Sequence, residues 1–153
     1  MRWPGRLELA GRRPDIWLDG AHNPHAAEAL AEYLTTVWAR RGEPANGRLI
    51  LVVGMMRDKD RRRVLTALTA VPGASQLILT RAAHPRAAAP EELAQDAADL
   101  GVPITVKATV GAALACARAL AGEDDTICVT GSLLVAGEAK AMLEGTTVSG
   151  LRG

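Results

Sequence analysis

Short apolar runs alternate with longer stretches of helical periodicity along this chain. Runs of strand length occupy residues 16–18, 49–53, 76–80, 104–106 and 126–130. Such runs are typical of parallel strands that helices cover on both faces. Between them, apolar residues recur at spacings of three and four, which predicts amphipathic helices. The pattern therefore predicts an alternating strand–helix chain.

The predicted elements define a fold class. Helices are expected at residues 26–39, 61–71, 90–100, 110–120 and 133–143, with a frayed tail from Gly145. A short strand at residues 7–9 precedes a turn at 11–14, so the first two strands should pair antiparallel. We predict an α/β fold with a Rossmann-like, mostly parallel sheet of about six strands. One antiparallel edge strand and helices on both faces complete this domain of residues 1–153.

The stretch Asp19-Gly20-Ala21-His22-Asn23-Pro24 lies between the strand at 16–18 and the first long helix. In open α/β sheets, ligands bind in the crevice outside the carboxyl ends of the strands. A carboxylate, an imidazole and an amide in this turn are therefore candidates for a binding site. The alternative interpretation is structural, with Asn23 and Pro24 starting the helix and Asp19 capping the loop.

Two other polar loops follow strands and should reach the same edge of the sheet. They are residues 54–60 and the pair Gly131-Ser132, and Arg6 precedes the antiparallel strand that starts near that edge. Helix amino termini there would present free N–H groups to a phosphate or carboxylate. The edge collects Arg6, Asp19, His22, Asn23, Arg57, Asp58, Lys59, Asp60 and Ser132.

Several of these residues also have a structural interpretation. Asp58 and Asp60 could cap the following helix, and Ser132 could be an ordinary helix start. The run at residues 61–63 is expected to be a solvated helix face, and the loop at 84–86 a surface feature. His25 is a weaker candidate than His22, because at a helix start it can point into water.

Composition and charge narrow the class of protein. The 153 residues are 48% hydrophobic and 23% charged, with a formal net charge of +1. This balance predicts a soluble globular domain with no nucleic-acid or membrane partner. Cys116 and Cys128 lie in apolar surroundings without metal-ligand spacing, which is typical of buried thiols in a reducing compartment. With no apolar run of membrane-spanning length, the expected location is the cytoplasm.

Some chemistries are excluded by missing motifs. The sequence has no Walker phosphate loop, no GxGxxG after its first strand and no Gly-x-Ser-x-Gly elbow. Asp19, His22 and Asp58 could form a metal site, but their spacing is generic. The residues alone therefore predict a polar crevice for an anionic or zwitterionic small molecule, and no complete catalytic set.

Four motifs in order resemble a known family. They are Trp3-Pro4-Gly5-Arg6-Leu7-Glu8, Leu18 to Pro24, Gly54-Met55-Met56-Arg57-Asp58-Lys59-Asp60 and Val129-Thr130-Gly131-Ser132-Leu133. Together they resemble the C-terminal domain of bacterial folylpolyglutamate synthase/dihydrofolate synthase, of the Mur ligase superfamily. The resemblance implies an ATP-dependent ligase: a carboxylate of folate or dihydropteroate is converted to an acyl phosphate, which the amino group of glutamate attacks. Leu134 departs from the more usual tyrosine after this Gly-Ser-Leu.

The resemblance also implies residue roles. Arg6, Asp19 and His22 would be catalytic. Arg6 would reach the ATP phosphates, Asp19 would bind the nucleotide, and His22 and Asn23 would lie between the nucleotide and the amino acid. Lys59 and Ser132 would hold glutamate together with His22.

The family places the phosphate-binding loop and the magnesium ligands in an N-terminal ATPase domain, which we do not find in this sequence. We therefore expect ATP and Mg²⁺ as cofactors, that domain as partner, a monomer, and no turnover by these 153 residues alone. The opening Pro-Gly turn suggests an isolated domain or a piece of a longer protein. Two alternatives remain: a stand-alone nucleotide- or amino-acid-binding module without catalysis, and the C-terminal domain of a peptidoglycan Mur ligase.

Overall fold

A computed structural model describes the backbone of residues 7–40 and 47–152. Strands and helices alternate in the order that the apolar pattern predicts. The elements are β1 (Glu8–Gly11), β2 (Asp15–Leu18), α1 (Pro24–Arg40), β3 (Leu49–Val53), α2 (Arg61–Thr69), β4 (Ala74–Leu79), α3 (Pro90–Ala97), β5 (Ile104–Val106), α4 (Val110–Leu120), β6 (Thr126–Thr130) and α5 (Leu133–Arg152).

The six strands form one sheet in the order β1-β2-β6-β3-β4-β5. β1 pairs antiparallel with β2, and every other neighbouring pair is parallel. The predicted fold class is confirmed, including the antiparallel edge strand. The last strand in sequence, β6, lies between β2 and β3 at the centre of the sheet.

Two hydrophobic cores cover the two faces of the sheet. On one face α1, α2 and α3 pack against side chains such as Leu51 and Leu79. On the other face α4 and α5 pack against Ile50, Val52 and Val129. The strands β3 and β6 are buried along their whole length, since alternate residues serve opposite cores.

The prediction for the end of the chain is wrong. The sequence predicted a helix ending near residue 143 and a frayed tail, whereas α5 continues to Arg152. Glycine, threonine and serine lower helix propensity, but adding a residue to an existing helix costs far less than nucleating one. The other boundaries match the prediction or differ from it by at most three residues. The glycines at positions 42 and 47 predict a break after the first long helix, and most of that stretch lies outside the described residues.

A crevice opens where neighbouring strands send their helices to opposite faces. After β2 the chain enters α1 on one face, and after β6 it enters α5 on the other. The two loops therefore diverge, as at the switch points where α/β sheets bind ligands. Asp19 to Asn23 follow β2, and Gly131 and Ser132 follow β6.

Candidate functional site

A cavity of about 440 Å³ lies at this crevice. Its polar end is the turn after β2, and its apolar end is formed by side chains of α1, α5 and the residue before β1. The lining residues are Leu7, Asp19, Gly20, Ala21, His22, Asn23, His25, Ala26, Ala29, Leu30, Tyr33 and Leu133. A ligand with one polar and one apolar end matches this lining.

The turn after β2 is fixed by hydrogen bonds to its own backbone and to β6. The Asp19 N–H donates to the Val129 carbonyl at 3.0 Å, and the Asp19 carboxylate accepts from the Ala21 N–H at 2.8 Å. Asp19 is only 8% exposed. The loop-capping role considered for Asp19 is therefore real, and it holds a carboxylate at the wall of the cavity.

His22 has a defined ring orientation. Its Nδ1–H donates to the Gly20 carbonyl at 2.9 Å, which fixes the tautomer of the neutral ring. In that tautomer Nε2 has a lone pair and can accept a hydrogen bond. His22 is half-buried and lines the cavity. This arrangement suits a group that contacts a ligand rather than one that only faces water.

Asn23 starts α1, as the structural interpretation proposed. Its side-chain oxygen accepts from the Ala26 N–H at 2.8 Å, and its carbonyl accepts from the Ala27 N–H at 2.9 Å. The side chain is exposed at the mouth of the cavity. The amide NH₂ of Asn23 takes no part in this cap bond and can donate a hydrogen bond to a ligand.

Ser132 and Lys59 lie on the same sheet edge but do not line the cavity. The Ser132 hydroxyl is buried and accepts from the Val135 N–H at 3.0 Å, which caps α5, and the next residue, Leu133, lines the cavity. Lys59 is half-buried in the loop after β3, one strand beyond Ser132. The structure thus brings Asp19, His22 and Asn23 into one wall and leaves these two beside it.

Arg6 lies outside the described residues, although its neighbour Leu7 lines the cavity. Asp60 occupies the N-cap position of α2 without a side-chain cap bond, and its carboxylate lies 3.6 Å from Arg63. A capping role for the Asp60 side chain is therefore absent.

The predicted solvated face at residues 61–63 is found at Arg62 and Arg63, which are exposed, whereas Arg61 is half-buried. Arg61 pairs with Asp96 at 2.9 Å, and Arg62 pairs with Asp99. Both acids lie on α3 or directly after it, so these arginines tie α2 to α3. Helical periodicity alone could not reveal this, because the acids lie more than 30 residues away in sequence.

Sequence reasoning missed the apolar end of the cavity. Ala26, Ala29, Leu30 and Tyr33 form one stripe of α1, and Leu133 faces them from the start of α5. Tyr33 and Leu133 are 44% and 54% exposed, and both line this cavity. The three- and four-residue spacing from Ala26 to Tyr33 was the available signal, although it gave no sign of Leu133.

The Cys128 thiol is buried in the core and does not line the cavity. Cys128 is fully buried, and burial, together with the charge of Asp19, holds the pKa of its thiol far above the ordinary value. Among residues 7–40 and 47–152, no three His, Cys, Asp or Glu side chains are grouped to hold a metal ion. Over the same residues, no helix has the length and apolarity to cross a bilayer.

Known proteins resemble this chain over most of its length. The family model described as "Mur ligase, glutamate ligase domain" matches residues 5–133. A curated relative from Haloferax volcanii, named "Probable bifunctional folylpolyglutamate synthase/dihydropteroate synthase", is 38% identical over 139 residues. That alignment covers 90% of this chain and 15% of the relative.

A bacterial relative is also named as a folylpolyglutamate synthase. The Escherichia coli "Dihydrofolate synthase/folylpolyglutamate synthase" is 33% identical over 84% of this chain and 28% of its own. A solved structure of E. coli FolC in complex with DHPP and ADP superposes with a TM-score of 0.82 at 30% identity. It matches 95% of this chain and 32% of that one. The chain thus spans less than a third of the length of each of these proteins.

Proposed function

Since the chain belongs to the Mur ligase family and matches the glutamate ligase domain of that family, we propose that it is the C-terminal domain of a folylpolyglutamate synthase/dihydrofolate synthase. The whole enzyme would be an ATP-dependent carboxylate–amine ligase. It would phosphorylate a carboxylate of folate or dihydropteroate, releasing ADP. The amino group of glutamate would then displace the phosphate and form an amide.

The observation that carries the proposal is the cavity wall formed by Asp19, His22 and Asn23. The buried Asp19 carboxylate is an acceptor suited to the hydroxyl groups of a ribose. The apolar end, with Tyr33 and Leu133, suits a flat ring. We therefore assign the nucleotide of ATP to this cavity. The similar E. coli enzyme was solved in complex with ADP, which supports a nucleotide as a ligand of the whole enzyme.

The phosphates and the amino acid would lie beyond the polar end of the cavity. Arg6, next to the cavity-lining Leu7, would contact the ATP phosphates, where a guanidinium can bind bidentately. His22 would lie between nucleotide and glutamate, with Nε2 as its acceptor. Lys59 and Ser132, on the next two strands of the sheet edge, would bind glutamate.

The remaining parts of the reaction would come from another domain. The described residues offer no cluster for Mg²⁺, so we assign the metal ligands and the triphosphate loop to an N-terminal ATPase domain. The exposed apolar side chains at the cavity mouth, Tyr33 and Leu133, would be covered when the two domains close. We propose a monomeric, cytoplasmic enzyme, in keeping with free thiols at Cys116 and Cys128.

Substitutions in the full-length enzyme test these roles. We expect Asp19→Ala and His22→Ala to lower kcat/KM by about two orders of magnitude or more, since each removes a polar contact to reacting substrates. Glu28→Ala, on the exposed side of α1 and outside the cavity lining, is the matched control and should retain most activity. Unchanged kinetics in well-folded Asp19 and His22 variants would refute the assignment.

The acceptor substrate is tested separately. ATP- and glutamate-dependent phosphate release should require dihydropteroate or a folate. Release that instead requires a UDP-muramoyl peptide would assign the enzyme to peptidoglycan synthesis. ADP binding by the isolated chain without any ligase activity from the full-length protein would favour the stand-alone binding module.

A further inference from the structure

Arg57 and Arg86 stand opposite each other on two loops at the carboxyl edge of the sheet. An isolated antiparallel bridge joins Met56 to Ala87. The Ala88 N–H donates to the Met55 carbonyl and the Arg57 N–H donates to the Arg86 carbonyl, each at 2.8 Å. This register brings the backbones of Arg57 and Arg86 together at the point where both loops turn away from the bridge.

Two exposed like charges at such close backbone positions repel each other, and an anion between them would relieve that repulsion. The Arg57 guanidinium reaches only the Pro85 carbonyl, at 3.5 Å, and the Arg86 guanidinium has no hydrogen bond or ion pair within the described chain. Both side chains are exposed. We call them the arginine pair.

Most nearby acids are engaged elsewhere. Asp60 faces Arg63, and the Glu138 carboxylate accepts from the Ala83 N–H at 2.7 Å. The Glu92 carboxylate accepts a hydrogen bond from the Ala89 N–H, and it lies 3.9 Å from the Arg61 guanidinium.

The cations next to the arginine pair exceed the acids. Asp58 is adjacent to Arg57, but Lys59 follows it, and Arg81 lies in the same loop as Arg86. Local charge therefore favours an anionic ligand.

The strand order places the arginine pair beyond the glutamate end of the site. Along the carboxyl edge the loops follow the order β2, β6, β3 and β4, with neighbouring strands about 4.8 Å apart. The cavity belongs to β2, Ser132 to β6, Lys59 and Arg57 to β3, and Arg86 to β4. The Cα atoms of Arg57 and Lys59 are at most about 7 Å apart, because two residues of extended chain span no more.

We propose that the arginine pair binds the second carboxylate of a dicarboxylic amino acid whose other carboxylate is held at Lys59 and Ser132. This specificity site rests on the proposed function, which supplies the amino acid. Guanidinium groups match a planar carboxylate bidentately, and a carboxylate between two of them relieves their repulsion. The pair would therefore select glutamate over amino acids with neutral side chains.

Amide NMR titrations of the 153-residue chain test the site without requiring catalysis. The probes are glutarate, which has two carboxylates, and butyrate, which has one. We expect glutarate to bind about tenfold more tightly than butyrate, with amide shifts at residues 57–59, at His84 and at residues 86–88. Arg57→Gln and Arg86→Gln should each remove this preference and leave butyrate binding unchanged. Arg118→Gln, an exposed arginine on α4, is the matched control and should change neither affinity.

Three results would overturn the proposal. The first is equal binding of glutarate and butyrate by the wild-type chain. The second is a preference for glutarate that survives Arg57→Gln and Arg86→Gln combined. The third is displacement of glutarate by inorganic phosphate at a lower concentration, which would make the pair a phosphate site. An ADP titration of the same sample separates this proposal from the previous one. If ADP causes no shifts at residues 19–23 while glutarate still binds more tightly than butyrate, only the nucleotide role of the cavity is rejected.

Discussion

Gly131 shows how a single residue shapes the centre of the crevice. Its φ of 109° is a conformation that side-chain-bearing residues rarely adopt. A Cβ built on Gly131 would collide with the Gly54 carbonyl and lie 3.0 Å from the Val53 side chain. The loops after β3 and β6 can therefore approach backbone to backbone only because this position has no side chain.

We predict that Gly131→Ala lowers the free energy of unfolding by about 2–4 kcal/mol, since strain and collision add. Gly137→Ala, on α5 with open space at its Cβ, should be neutral or raise it by up to about 1 kcal/mol. Urea unfolding followed by circular dichroism measures both. Equal stability of the two variants would show that the loops separate at little cost.

At the scale of elements, polar side chains fix the residues at which helices start and hold together the first residues of neighbouring strands. Thr109 caps α4 by accepting from the Ala112 N–H at 3.1 Å, as Asn23 and Ser132 do for α1 and α5. Each such cap contributes about 1 kcal/mol. In α1 the capping residue Asn23 also lines the cavity, so a helix start and a candidate binding group coincide there.

Asp125 holds together the amino-terminal ends of β3 and β6. Its carboxylate accepts from the Arg48 N–H and the Gly122 N–H, each at 2.7 Å, and pairs with the Arg48 guanidinium at 2.8 Å. Burial alone would raise the pKa of Asp125, but these hydrogen bonds and the Arg48 charge outweigh it, so the pKa lies below the usual value of 3.8.

We predict that Asp125→Asn lowers the free energy of unfolding by about 1–3 kcal/mol at pH 7. Because the folded-state pKa is depressed, the ionised Asp125 stabilises the fold above pH about 4, and this is lost as pH falls through the folded pKa. The difference between wild type and variant should therefore shrink in acid. Glu123→Gln, exposed nearby, is the control and should show little effect. A difference independent of pH would contradict the ionic role.

At the scale of the whole molecule, the sheet order makes the candidate site. β6 enters between β2 and β3 although it is the last strand in sequence. Its helix leaves on the face opposite to α1, and the resulting crevice is walled by polar groups on one side. Its apolar mouth remains exposed at Tyr33 and Leu133. Such a surface is suited to closure by another domain.

We predict that the 153-residue chain alone has no ligase turnover, because its described residues hold neither a triphosphate loop nor a metal cluster. The assay is ATP- and glutamate-dependent phosphate release, with the full-length enzyme as positive control. Steady release by the purified chain, above a sample denatured by heat, would overturn this prediction.

The alternation of apolar runs with helical periodicity determined the element order, the parallel central strands and the antiparallel first pair. It also marked the turn from Asp19 to Pro24, since a polar turn after a buried strand is visible in one dimension. Motif order added the family and the roles proposed for Lys59 and Ser132. These features depend on residues close together in sequence, where periodicity and spacing carry the information.

Only the tertiary structure decided which distant residues meet. It brought Leu133 opposite Tyr33, paired Arg61 and Arg62 with acids on or just after α3, and placed Arg57 across from Arg86. It also showed that Asn23 caps α1 at the mouth of the cavity and that Ser132 caps α5 beside it. Such contacts depend on the order of the strands and on the face of the sheet to which each helix crosses. Both are fixed by the need to bury a hydrophobic core on each face of the sheet.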